Sequence, residues 1–87
     1  MTRFAIEDSF ALDPDRFVFA GRVLEGRVEH GMIFDVPEAG HRWRLSVQSV
    51  EFLRKAGRDL IGLVVRDDRY LPGWGVGWTT ELHEPGT

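Results

Sequence analysis

The sequence predicts an all-β domain, a small antiparallel barrel or sandwich. Three observations carry that expectation. Short apolar stretches rich in Phe, Val, Ile and Leu are separated by Gly, Pro and Asp at the spacing of strands and turns. Residues 43–47 alternate strictly, with Trp43, Leu45 and Val47 on one face and Arg44 and Ser46 on the other, the period of a half-buried strand. Residues 17–20 (Phe17, Val18, Phe19, Ala20) are apolar on both faces, so their strand needs cover on both sides.

Taken in order, residues 3–10 form the first strand, with Phe4, Ile6 and Phe10 inward and Glu7 and Asp8 closing it. Asp13, Pro14 and Asp15 make a turn, Pro14 pre-setting its φ. A second strand covers residues 16–25, and Gly26 and Gly31 supply the positive φ that tight turns use. A third strand spans residues 32–36 and ends at Pro37, which has no N–H to give a ladder. After the loop 38–42 comes the alternating strand 43–47. Beyond it Val50 and Phe52 change phase, which predicts a bulge or bend near Ser49. A helix over 50–56 is the competing reading, but Gly57 would stop it well short of ordinary length. Residues 60–66 read as a buried strand, 66–69 as a charged turn, 71–78 as a Pro- and Gly-rich segment around Trp74 and Trp78, 79–82 as a last strand, and 85–87 as a tail.

Eighty-seven residues make one domain, spanning 1–87, and a chain of this length buries roughly 60–65% of its unfolded surface. With 43% hydrophobic and 11% aromatic residues it can build a core. There is no cysteine, so disulfides and thiolate metal sites are excluded. The net charge of −3 lacks the cationic excess that generic nucleic-acid binding draws on, although Arg42, Arg44, Arg54, Lys55 and Arg58 cluster in sequence. No apolar run approaches the ~20 residues of a membrane helix, and the opening residues carry no signal-peptide pattern. The expectation is a cytoplasmic protein without membrane contact.

Four pieces in order resemble the second domain of translational GTPases, the β-barrel of elongation factor Tu. They are Ile6-Glu7-Asp8-Ser9-Phe10; Gly21-Arg22-Val23 with Gly26, Val28, Gly31 and Phe34; Val50-Glu51-Phe52-Leu53-Arg54-Lys55; and Ile61-Gly62-Leu63-Val64-Val65-Arg66. The resemblance implies a closed, Greek-key-like barrel of about six antiparallel strands. It also implies a contact to the 3′ end of aminoacyl-tRNA at Glu7, Asp8, Phe10, Glu51 and Arg54. An Arg can meet phosphate, carboxylates can accept hydroxyl or amine protons, and an aromatic can stack. The pattern departs from the family in three places. No phosphate-binding loop occurs, so GTP binding is not expected of this chain. Leu60 stands where the family has a contacting Asn, and Trp78-Thr79 where it has Arg-Gly. The plainer reading of Glu51 and Arg54 is a local surface ion pair.

No catalytic constellation is present. His30, His41 and His83 lack metal-ligand spacing, and no metal or other cofactor is expected. The pairs Asp13/Asp15 and Asp67/Asp68 read as turn residues, and Ser9, Ser46 and Ser49 have no nucleophile elbow. Trp74 and Trp78, flanked by glycines, either form an interaction surface or cap the end of the barrel. The leading expectation is a non-enzymatic, stand-alone interaction module that contacts a protein or forms a homo-oligomer. The alternatives are an RNA-contacting protein at a tRNA 3′ end or the ribosome, and a barrel that binds a small molecule or flavin.

Overall fold

The computed structural model describes residues 1–67, 69 and 73–85. Asp68 of the charged turn, Leu71 and Pro72 before Trp74, and Gly86 and Thr87 of the tail lie outside the described residues. The rest forms one sheet of seven antiparallel strands: β1 Thr2–Asp13, β2 Arg16–Glu25, β3 Ile33–Glu38, β4 His41–Ser46, β5 Ser49–Lys55, β6 Arg58–Arg66 and β7 Thr79–His83. Their order across the sheet is β4-β3-β7-β1-β2-β6-β5. The described residues contain no helix, so residues 50–56 belong to a strand and its turn.

The all-β class expected from the pattern is what forms; the closed six-stranded ladder is not. There are seven strands, and the sheet runs from β4 at one end to β5 at the other without closing. The physical reason lies at Val47 and Gln48. The Val47 N–H donates to the Met32 carbonyl and the Val47 carbonyl accepts from Gly31 N–H, both at the β3 end. One residue on, Gln48 N–H donates to the Val64 carbonyl of β6. The two end strands are therefore consecutive pieces of one chain that change partner at this point, and neighbours in sequence that diverge cannot also pair with each other. The phase change expected near Ser49 is this change of partner.

Local chemistry sets the rest. Two hairpins turn on an Ala-Gly pair with both residues at positive φ, Ala39 and Gly40 between β3 and β4, Ala56 and Gly57 between β5 and β6. Pro37 does not end β3, which continues to Glu38. It pairs with Arg42, but β7 pairs β3 only at Ile33 and Phe34, so nothing beyond them asks Pro37 for an N–H. β1 likewise does not close at Glu7 and Asp8. It carries a bulge there, since Ile6 pairs with Gly21 and Asp8 with Ala20, leaving Glu7 as the extra residue. Gly21 is required at that place: a Cβ would lie 1.8 Å from the Ala5 carbonyl oxygen.

The two apolar faces of β2 enter two different clusters. Phe17 and Phe19 join Phe4, Ile6, Phe34, Leu63 and Trp74 in the main core. Val18 and Ala20 point the other way and meet Leu60 and Val64, with Phe10 and Leu53 laid over them. The bulge at Glu7 explains how β1 serves both clusters, because it moves Phe10 out of phase with Phe4 and Ile6.

Candidate functional site

Two regions of the surface gather the residues that the sequence singles out. The first is the β5–β6 hairpin where it crosses the β1 bulge. Glu7 accepts from Arg22 Nε at 2.6 Å and pairs with Arg58. Asp8 pairs with Lys55 and accepts from the Ser9 N–H at 2.9 Å. These cations hold both carboxyls below their ordinary range; for Glu7 the hydrogen bond from Arg22 leads and that from Arg58 follows, and for Asp8 the bond from Lys55 leads. The two carboxylates thereby fasten the hairpin tip to β1.

Lys55 also stands over the Phe10 ring, its Nζ 5.4 Å from the centroid. Phe10, Ala20, Leu53, Leu60, Arg54 and Lys55 line a hollow of about 230 Å³. The structure thus brings Phe10, Arg54 and, through Lys55, Asp8 to one place. Glu7 is engaged by Arg22 and Arg58 instead, and Glu51 does not line the hollow. Arg54 reaches Asp59 at 3.7 Å, with both side chains largely in solvent, so the expected Glu51–Arg54 pair is replaced by one across the hairpin. Leu60 fills the floor of the hollow as an apolar residue, 6% exposed.

Phe52 was visible in the sequence only as a change of phase. It is 87% exposed, the most exposed large hydrophobic side chain of the described residues. It sits mid-way along β5, and among the described residues β5 pairs with β6 alone. The signal was its place between charged neighbours, Glu51 on one side and Arg54 beyond Leu53 on the other, in a segment with strand composition.

The second region surrounds the loop 73–78. Trp74 is not a surface: it is 1% exposed and packs on Phe17 and Phe19 with ring centroids 5.2 and 5.6 Å away. Gly75 presses in behind it, where a Cβ would meet Val36 at 2.9 Å. Trp78 is 37% exposed and lines a groove of about 370 Å³ with Arg3, Asp35, Arg42, Glu81 and His83. No pattern in the sequence announces this grouping, because it depends on β7 pairing with β1 and β3 from the far end of the chain. His30 and His41 lie elsewhere, the His41 ring 4.6 Å from that of Trp43. Among the described residues no three metal-ligating side chains come together, and no helix is long and apolar enough to cross a membrane.

Comparison with protein-family models, with curated proteins and with solved structures finds no match to this chain. The likeness to the translational GTPase domain therefore rests on the residues that suggested it.

Proposed function

We propose that this chain is a non-enzymatic protein-interaction module that works through the free edge of β5, and that the partner fitting this edge is a second copy of the chain. The observation that carries the reading is Phe52, 87% exposed on an end strand. An unpaired strand edge offers a row of N–H and C=O groups to another strand, and natural sheets normally cover or blunt such edges.

The sequence of β5 is self-complementary. Two copies related by a two-fold axis and paired antiparallel about Leu53 put Glu51 of each opposite Lys55 of the other, and Phe52 of each opposite Arg54 of the other. The first pairing joins opposite charges, and the second sets a guanidinium over an aromatic ring. Arg54 is free to exchange partners, since its pair with Asp59 spans 3.7 Å between two exposed side chains.

The likeness to the second domain of translational GTPases belongs to this proposal as a module that contacts other macromolecules in the cytoplasm. Contact with a tRNA 3′ end is the weaker form of it, because only Phe10 and Arg54 of the five residues suggested for that role share the hollow, and Leu60 there offers no polar group. Sedimentation velocity over a wide concentration range tests the reading. A monomer–dimer equilibrium that Phe52→Ser shifts strongly toward monomer is the expected result. A monomer at every concentration, or a dimer indifferent to Phe52→Ser, would rule it out.

A further inference from the structure

A groove separate from the β5 edge lies beside Trp78. The eleven Lys and Arg residues of the chain are all described, and eight of them (all but Arg3, Arg42 and Arg66) stand within ion-pair distance of a carboxylate. Two of the remaining three, Arg3 and Arg42, line the same groove, one from β1 and the other from β4. Where nearly every cation stands beside an anion, two guanidinium groups that line one groove with an exposed indole, without an ion pair among the described residues, can take an anion from outside.

We infer that this groove binds a flat aromatic ring carrying an anionic group, a carboxylate or a phosphate, with the ring against Trp78 and the anion between Arg3 and Arg42. The charge on the walls defines the ligand further. Asp35 is held by Arg44 at 3.2 Å, which leaves Glu81 as the groove's carboxylate without an ion pair among the described residues. Two free cations against one free carboxylate leave an excess of one positive charge, which suits a ligand of low negative charge better than a polyphosphate. Guanidinium groups take carboxylate or phosphate through two N–H bonds at once, and an indole face accepts a stacked ring.

The site is also prepared. The Trp78 backbone is fixed, because its carbonyl accepts from the Ile6 N–H at 2.9 Å and its own N–H donates to the Gly75 carbonyl at 2.9 Å. Gly77 N–H in turn donates to the Ile6 carbonyl at 2.9 Å. Behind the loop, Trp74 is anchored in the main core. A backbone held in place before binding leaves less to be ordered when a ligand arrives. The groove, about 370 Å³, falls in the range of small-ligand pockets.

The test is a titration of the full chain followed by two-dimensional amide and indole N–H NMR, in which the Trp78 indole signal reports on the groove. Four probes are used: indole-3-acetate and adenosine monophosphate as anionic rings, tryptophol and adenosine as the same rings without the anion. Saturable binding of at least one anionic ring, about tenfold or more tighter than its neutral counterpart, is expected, and whichever binds tighter distinguishes the carboxylate from the phosphate. Arg42→Gln should weaken that binding by about tenfold and Trp78→Leu should remove it, both at exposed positions where the fold is retained. Phe52→Ser should leave it unchanged, which separates this site from the β5 edge. Neutral rings binding as well as anionic ones, no saturation by any probe, or full binding by Arg42→Gln and Trp78→Leu would overturn the assignment.

Discussion

The two faces of the β2–β6 pair are built to opposite standards. On one side Phe17, Phe19, Leu63 and Val65 are sealed by four other strands and by Trp74, and the aromatic rings meet edge-on or tilted at 5.2–5.7 Å. On the other, Val18, Ala20, Leu60 and Val64 are covered among the described residues by Phe10 and Leu53, with a hollow left among them. The first face accounts for folding. The second is a cover left incomplete, and it runs out toward β5, an end strand of the described sheet. Stability and the proposed contact through β5 thus rest on different residues, the packed faces of β2 and β6 and the exposed end strand, which makes them separable by mutation.

The sharpest contrast comes from Trp74. Trp74→Ala should cost about 3–5 kcal/mol in urea or thermal unfolding, as expected for a large side chain deleted from a close-packed core. Leu60→Ala, at a comparably buried position on the thin face, should cost only about 2 kcal/mol, the low end for such a deletion, because the space it leaves joins a hollow already open to water. Equal losses for the two would erase the distinction between the faces.

Phe52→Ser inverts the pattern. It should change the stability of the folded monomer by no more than about 0.5 kcal/mol, since the ring touches little, while weakening self-association by about tenfold or more. A large loss of monomer stability would mean that Phe52 belongs to the core after all.

The smallest effect concerns the clasp between the hairpin tip and β1. Glu7 and Asp8 are held below their ordinary carboxyl range by Arg22, Arg58 and Lys55, so the unfolded chain binds protons more readily than the folded one. Their contribution is present at neutral pH and is lost as pH falls below about 4, through the depressed range. The pairs are solvent-exposed and screened by salt. The Glu7→Gln, Asp8→Asn double variant should therefore lower Tm by less than about 5 °C at neutral pH and low salt, and its Tm should fall less steeply on acidification than that of the wild type. An identical acid profile for the two proteins would remove the clasp from the account.

Much of the fold was legible from the residues. The double-sided apolar run 17–20 announced that β2 has two clusters, and the alternation of 43–47 announced β4. What could not be read was where strands change partners. The switch at Val47 and Gln48 appears in sequence only as a slip in periodicity, and a slip is equally compatible with a bulge, a bend or a short helix. The closed ladder was what the resemblance to the translational GTPase domain implied, and an open one forms. The candidate sites were less legible still. Phe10 and Arg54 line one hollow, but of the cations that capture Glu7 and Asp8 only Arg22 is near in sequence, while Arg58 and Lys55 come from about fifty residues downstream. Trp74 and Trp78, alike in sequence context, are separated by a turn at Gly75 that sends one ring inward and leaves the other at the surface.

Hydrogen exchange along β5 tests the central claim most directly. In a two-residue hairpin the pair flanking the turn, Lys55 and Arg58, exchanges both hydrogen bonds, and alternation then points the N–H groups of Phe52 and Arg54 away from β6. The account predicts that these two amides exchange rapidly in dilute solution and gain protection as concentration rises and the second copy pairs with them. Protection that is already full in the dilute monomer, or that stays absent in the associated state, would contradict it.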